Sequence, residues 1–209
     1  MRKPSSIITR GLVGIAATAL AFTAIGAAAA QASSAGTTID TYSAWDGSAT
    51  VTPFGCPETS VYGQTFTFPE GSKKFTKITW PWVGYTPGSM VVHAYVYAWN
   101  GTMASGKALA KTKAKTISYD DAVFHNVTFK FKKAKALKAG SQYVVFASID
   151  QNYGDCTGYT VDWGLVTTGD PYTGGGFVYL NSDGDMSQWT TVPWGGFGSE
   201  DVAFKATLK

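Results

Sequence analysis

The feature that most constrains the fold is an alternation of side chains with a period of two, which recurs along the chain. In residues 90–99, MVVHAYVYAW, β-branched and aromatic residues fill both alternating faces. Because both faces are apolar, this segment is predicted to be a central strand. Asn100-Gly101 follows it, and this dipeptide favours a tight hairpin turn. The helical period of 3.6 is almost absent after residue 32, so the pattern predicts a β-protein.

Further segments rich in β-formers predict additional short strands. They cover residues 64–68, 75–80, 122–131, 142–150, 159–166, 177–180 and 201–208. Lys111, Lys113 and Lys115 alternate with Thr112, Ala114 and Thr116, which places the lysines on one solvated face and protects a sheet edge. We expect a structural role for them rather than a basic binding patch. Residues 132–137 are the one candidate for a helical turn. Together these elements predict an all-β, antiparallel β-sandwich of jelly-roll type.

Residues 1–32 have the pattern of an export signal. Three basic residues accompany an apolar, alanine-rich run at 11–30, and Ala30-Gln31-Ala32 supplies the small-x-small cleavage pattern. We therefore expect a secreted protein that begins at Ser33 and is released without a membrane anchor. The remaining residues, 33–209, suit a single domain with a full hydrophobic core.

The two cysteines, Cys56 and Cys156, are predicted to form a disulfide because an exported protein meets an oxidising environment. In the loop-entropy model, closing a ring of about 100 residues contributes roughly 4 to 5 kcal/mol. Zinc binding is disfavoured, since two sulfurs with His93 and His125 give no metal-ligand spacing.

The charge balance changes when the signal is removed. The full chain has 17 basic and 14 acidic residues, but three basic residues lie in the signal, which leaves 14 of each. Every basic residue after position 32 is lysine, so the bidentate arginine fork is missing. A neutral domain of this composition has no general electrostatic reason to bind nucleic acid or an anionic membrane.

Four segments resemble a known group of modules. They are Gly63–Pro69 (GQTFTFP), Val96–Gly101 (VYAWNG), Leu137–Phe146 (LKAGSQYVVF) and Asp201–Thr207 (DVAFKAT). Their succession resembles secreted bacterial jelly-roll modules of the galactose-binding-like or carbohydrate-binding-like kind, over residues 60–209. This resemblance implies a β-sandwich in a group whose members mostly lack an assigned activity. The matching motifs are turns and core strands, so they carry over no functional residues, and the cysteine pair lies outside the pattern.

An enzymatic centre is not expected from the sequence. No Gly-x-Ser-x-Gly elbow occurs. A glycosidase would need two carboxylates across a cleft, and the sequence leaves Asp46, Glu58, Asp120, Asp121 and Asp162 open to that role. Each of these residues also has a structural interpretation at a turn, beside a cysteine or on a strand surface, so a non-catalytic protein is the expectation.

Aromatic residues in broken segments are the candidate binding groups. They are Trp80, Trp82, Tyr85, Trp189 and Trp194. Nearby prolines and glycines can present such rings flat on a surface, where the C–H faces of a polysaccharide or cell-surface glycan would stack. In a second interpretation these rings only cover the ends of the sandwich as lids. Trp99 and Trp163 lie inside strand patterns and are expected to be core residues.

Two function classes therefore remain open. One is a carbohydrate-binding protein of the cell exterior, and the other is a structural or adhesion protein whose aromatic surface meets another protein or a second copy. A sugar-displaceable interaction favours the first class, and association without sugar favours the second.

The segment Asn181-Ser-Asp-Gly-Asp185 has some features of a calcium-binding loop. Oxygens at Asn181, Asp183 and Asp185 suit a hard cation, but Val192 stands where the full loop needs a glutamate. Asp183-Gly184 is also a favoured hairpin turn between residues 177–180 and 188–191. The turn is the preferred interpretation, and no cofactor is expected.

Overall fold

The computed structural model describes residues 36–209, and the predicted signal segment lies outside the described residues. In this part of the chain no helix is long and apolar enough to span a membrane. The strands are β1 (Thr38–Asp40), β2 (Thr50–Gly55), β3 (Val61–Thr67), β4 (Phe75–Val83), β5 (Met90–Trp99), β6 (Ala104–Lys111), β7 (Lys115–Ile117), β8 (His125–Lys130), β9 (Gln142–Ser148), β10 (Thr160–Val166), β11 (Phe177–Leu180), β12 (Gly195–Phe197), β13 (Asp201–Val202) and β14 (Lys205–Leu208). Three short 3₁₀ helices accompany them, η1 (Tyr42–Ala44), η2 (Asp150–Asp155) and η3 (Met186–Thr190).

The strands form two antiparallel sheets that pack face to face. Sheet A has the order β1-β14-β4-β10-β13, with β2 added to β10 and β8 added to β4. Sheet B has the order β12-β11-β3-β9-β5-β6, with β7 added to β5. The predicted all-β antiparallel sandwich is confirmed, and its jelly-roll connectivity stays a prediction.

Strand β5 shows how the alternating sequence produces the layers. It lies between β9 and the edge pair β6 and β7, as its two apolar faces predict. Val92, Ala94 and Val96 are buried between the sheets, whereas Tyr95 belongs to a second apolar cluster on the outer face of sheet B. In the predicted turn after β5, the side-chain oxygen of Asn100 accepts hydrogen bonds from the backbone N–H groups of Thr102 and Met103, each at 2.9 Å.

Several element predictions need correction. Residues 132–137 form an irregular segment rather than a helical turn. The strand predicted at 201–208 is divided into β13 and β14, and the one predicted at 122–131 begins only at His125. Strands β1 and β2 were not predicted, because their short segments lack a clear alternation.

The interior between the sheets contains a cluster of three tryptophans. Trp80, Trp82 and Trp163 are fully buried, together with Phe54. The rings of Trp82 and Trp163 stack at 4.6 Å between centroids, and Trp80 lies 4.9 Å from Trp163. Large aromatic rings dominate core energetics because each removes a large apolar area from water. This aromatic cluster is therefore the centre of the fold.

The predicted disulfide is confirmed. Cys56 and Cys156 are bonded, with their Cα atoms 6.1 Å apart and a sequence separation of 100. The bond joins the segment after β2 to the segment after η2, so it ties the N-terminal strands to a late loop.

Candidate functional site

The predicted platform at Trp80 and Trp82 is wrong. Both rings are fully buried because β4 continues through Pro81, which stands opposite Asn126 in the ladder with β8. Residues two apart on a strand point to the same face, and here that face is the interior. Tyr85 lies in the loop that follows β4 and is 57% exposed, so it does not join Trp80 and Trp82 in the core.

Trp189 and Trp194 are also covered, but on the outer face of sheet B. Trp189 is 2% exposed and its ring packs 4.8 Å from Tyr95 and 5.0 Å from Phe146. Trp194 is 9% exposed and its Nε1 donates to the backbone oxygen of Trp189 at 3.0 Å. These two rings belong to residues 181–194, which we call the covering segment. Trp189 is thus buried on the outer face of sheet B, and Trp194 is the last residue of the covering segment.

A buried carboxylate fixes the covering segment to the sandwich. Asp150 accepts a hydrogen bond from Trp189 Nε1 at 2.6 Å and from the backbone N–H of Gly184 at 3.1 Å, and another from the Ser182 hydroxyl. A buried carboxylate needs such donors, since a buried charge without partners is costly. Asp150 thus sets the position of the outer tryptophans.

The candidate calcium oxygens have protein partners. Asp183 accepts a hydrogen bond from the Tyr153 hydroxyl at 3.1 Å. Asp185 caps η3, because its carboxylate accepts from Ser187 N at 3.0 Å. Asn181 precedes this turn and is exposed. Among residues 36–209, no group of three histidine, cysteine or acidic side chains is placed to hold a metal. The predicted hairpin after Asp183-Gly184 is wrong too, because η3 follows the turn instead of a strand.

A groove opens beside the covering segment on the outer face of sheet B. We call it the sheet-B groove, and it has a volume of about 490 Å³. Its lining side chains come from β3, β5, β9, β11 and three loops, and they are Thr65, Thr67, Trp99, Thr102, Gln142, Asp170, Thr173, Phe177, Val178, Pro193 and Trp194. Glycines at 174–176, 195, 196 and 198 complete the rim.

Both rims are rich in glycine because neighbouring atoms lie too close to the backbone for a side chain. A Cβ atom on Gly175 would meet the backbone oxygen of Thr65 at 1.9 Å, and one on Gly195 would meet the Tyr179 ring at 2.5 Å. Only glycine fits such contacts. The Thr65 and Thr67 hydroxyls hold the first rim by donating to Gly176 O at 3.2 Å and Gly174 O at 3.0 Å. The rims are therefore fixed parts of the groove.

Trp99 supplies the aromatic surface of the groove. It ends β5, is half-buried, and meets Trp194 edge to face at 5.6 Å between centroids. Gln142 and Asp170 are exposed polar side chains in the same lining. The prediction that Trp99 is a core residue is wrong. Alternation shows that Trp99 and Tyr95 point to the same face of β5, but it does not show whether another layer covers that face along its whole length.

A buried polar pair lies beneath the first rim. Gln64 Nε2 donates to Asp201 Oδ1 at 2.5 Å, and Tyr172 N donates to Asp201 Oδ2 at 3.0 Å. Burial raises the pKa of Asp201 to about 6. Asp201 thus fixes Tyr172, in the loop before the 174–176 rim. Its bond to Gln64 also links β13 of sheet A to β3 of sheet B.

The carboxylates considered for a glycosidase do not meet in this groove. Asp170 is the carboxylate among its lining side chains. Asp46 accepts hydrogen bonds from Ser48 N and Ala49 N at a turn, and Asp121 pairs with His125 at 2.9 Å. These contacts favour structural roles for Asp46 and Asp121.

Comparisons with known proteins give limited structural similarity. No protein-family profile matches the chain, and no curated protein matches it in sequence. The chain is similar to a clostridial cysteine protease, Cwp84, after propeptide cleavage, with a TM-score of 0.49 and 14% identity over 78% of this chain and 38% of that one. It is also similar to the cysteine protease and lectin-like domains of Cwp84, a surface layer associated protein of Clostridium difficile, with a TM-score of 0.45 and 12% identity over 72% of this chain and 32% of that one. The chain thus spans about a third of the length of those chains, and similarity at these scores carries no argument about function.

Proposed function

We propose that the protein is a non-catalytic carbohydrate-binding β-sandwich of the cell exterior, which holds a glycan in the sheet-B groove. The observation that carries this proposal is the half-buried Trp99 ring in a groove that also contains the exposed Gln142 and Asp170. Ligand sites commonly combine an apolar wall with a few polar groups. A sugar presents both an apolar C–H face and hydroxyl groups, so it matches both parts of the lining.

The groove supports binding more than catalysis. Hydrolysis of a glycosidic bond needs two carboxylates a few ångströms apart, and the lining contributes Asp170. The glycine rims contribute backbone amide and carbonyl groups to the groove lining. Such a surface fits hydroxyl groups, which donate and accept hydrogen bonds.

The location outside the cell rests on two features. The disulfide suits an oxidising environment, and residues 1–32 have the export pattern. A glycan ligand would be available to the protein there.

The test is isothermal titration of purified protein with a panel of neutral oligosaccharides. We expect at least one glycan to bind, and Trp99→Ala to weaken that binding at least about tenfold, since stacking on an aromatic ring would be lost. Tyr85→Ala is the matched control, because it removes an exposed ring outside the groove lining and should change affinity less than twofold. A further variant, Gln142→Ala, should also weaken glycan binding, because it removes a polar side chain from the groove while the Trp99 ring stays in the lining.

Two results would count against the proposal. Binding to no glycan in the panel would remove it. Concentration-dependent self-association that soluble sugar does not displace, measured by sedimentation, would favour the structural or adhesion class instead.

A further inference from the structure

A second groove lies where the open edges of the two sheets face each other. It has a volume of about 450 Å³ and is lined by residues 111–115 from the β6–β7 edge of sheet B and by residues 128–130, 132 and 133 from the end of β8 and the segment after it. Six of its ten lining residues are lysines: Lys111, Lys113, Lys115, Lys130, Lys132 and Lys133. We call it the lysine groove.

The neutral overall charge conceals this concentration of positive charge. Residues 107–138 contain nine lysines and two aspartates, whereas residues 139–204 contain eight acidic residues and no lysine or arginine. The domain is therefore strongly divided in charge along its sequence. The lysine groove lies wholly within the basic part.

The groove lysines lack acidic partners in the structure. The ion pairs within residues 36–209 are His125 with Asp121 and Lys205 with Asp40, and neither includes a groove lysine. Lys111 is committed elsewhere, since its Nζ donates to Gln151 and lies 5.4 Å from the centroid of the Tyr95 ring. Five ammonium groups therefore remain for a ligand.

Lysines line both walls of the groove. Lys113 and Lys115 belong to the wall from sheet B, and Lys130, Lys132 and Lys133 belong to the wall from sheet A. The ladder continues past β8, because Phe131 N donates to Thr76 O at 2.9 Å. Phe129 and Thr112 are buried beneath the groove. This arrangement suits a linear ligand with repeated negative charges.

We propose that the lysine groove binds an acidic polysaccharide chain whose sugars carry carboxylate groups. Lysine is a compact, flexible point charge, which can follow a polymer whose charges repeat along its length. Carboxylates spaced along such a chain would meet the lysines of both walls. This site is separate from the sheet-B groove and needs no aromatic stacking.

Two other polyanions fit the groove less well. Nucleic-acid sites add aromatic rings for base stacking, but the one aromatic residue in this lining, Phe129, is buried. An acidic peptide would bind most simply as an added strand, and lysines on a sheet edge oppose strand addition.

The test uses purified full-length protein and fluorescent oligogalacturonate, a polymer of carboxylated sugars. We expect binding that weakens steeply with added salt, because exposed charges are screened. The triple variant Lys113→Gln, Lys115→Gln, Lys132→Gln should weaken binding roughly tenfold, since each exposed ion pair contributes modestly. The control triple variant Lys73→Gln, Lys74→Gln, Lys209→Gln makes the same change in net charge outside the groove and should weaken it less than twofold.

Competition experiments distinguish an acidic polysaccharide from the other possible ligands. Neutral galactan of equal length should not compete, whereas polyglutamate and single-stranded DNA should compete only weakly. The proposal is overturned if no oligogalacturonate binds at low salt, if the control triple variant loses as much affinity as the groove variant, or if either competitor binds more tightly than oligogalacturonate. Should the triple variant fail to fold, Lys132→Gln alone, at an exposed side chain, should still lower affinity about twofold. Trp99→Ala should leave this binding unchanged, which distinguishes the lysine groove from the sheet-B groove.

Discussion

The interior and the outer face of sheet B contain similar aromatic residues in different settings. Between the sheets, Trp80, Trp82 and Trp163 pack on one another and are fully buried. On the outer face, Trp189 is buried and its Nε1 donates a hydrogen bond to Asp150. Trp99 lies on the same face but is only half-buried, beside a groove. The interior rings are held between the two sheets, whereas on the outer face Trp189 belongs to the covering segment and Trp99 to the end of β5. Rings enclosed between two sheets are closed to a ligand, but a ring on an outer face can border a groove.

The largest expected effect tests the interior cluster. Trp163→Ala should lower the free energy of unfolding by about 3 to 5 kcal/mol, because deleting a buried aromatic ring loses apolar burial and leaves a cavity. Urea denaturation measures this change. Trp99→Ala, at the outer face, should cost less than about 2 kcal/mol, because its ring is only half-buried. An equal loss of unfolding free energy in the two variants would contradict the distinction between interior and outer rings.

The next effect concerns the buried pair that joins the two sheets. Folded Asp201 keeps its proton up to about pH 6, whereas an unfolded aspartate loses it near pH 4. The folded state therefore binds more protons between these values, so stability falls as pH rises from about 4 to 6 and is unaffected by this group above that range. The contribution is at most about 3 kcal/mol.

Denaturation of Asp201→Asn across the same pH range checks this linkage. The difference between wild type and variant isolates Asp201, since other titrating groups contribute to both proteins. A wild-type curve that rises from pH 4 to 6 relative to the variant would contradict the assigned direction.

A smaller and more local effect is expected from the anchor of the covering segment. Asp150→Ala should destabilise the protein by about 2 kcal/mol, because it removes the acceptor for Trp189, Ser182 and Gly184. Hydrogen exchange should increase mainly in residues 181–194, while the strands of the interior keep their protection. A uniform increase across both sheets would show that the covering segment is part of the main folding unit.

The smallest effect serves as the reference for the others. Tyr85→Ala should change the free energy of unfolding by less than about 0.5 kcal/mol, because the side chain is 57% exposed. Thermal unfolding measures it. A cost above 1 kcal/mol would show that the loop after β4 contributes to the sandwich in a way that its exposure does not indicate.

Alternation in the sequence predicted much of the fold but little of the candidate site. The strand at 90–99 and its turn at Asn100-Gly101 were predictable, because hydrophobic period and turn chemistry are local properties. Trp82 was misplaced because only pairing with β8 carries β4 through Pro81. Such pairing is a long-range property, which local patterns do not report.

The two grooves were missed for a related reason. Trp99 lines the sheet-B groove, where Trp194 of the covering segment, 95 residues later in the chain, packs against it. Lys113 and Lys132 face one groove because the edges of two sheets meet there.

The sequence predicted that Lys111 and Lys115 share one solvated face, and this is wrong. Lys111 lies opposite the outer-face residue Tyr95, whereas Lys115 lies opposite the buried Val92. No local pattern indicated that a second lysine-rich edge lies opposite.

The most direct test of the division between interior and outer tryptophans is nuclear magnetic resonance of the indole N–H groups during titration with the glycan that binds best. Our account predicts that the Trp99 signal shifts with increasing ligand, with a smaller change at Trp194. The signals of Trp80, Trp82 and Trp163 should remain in place and exchange slowly with solvent. Ligand-induced shifts at Trp80 or Trp82, with Trp99 unaffected, would contradict it.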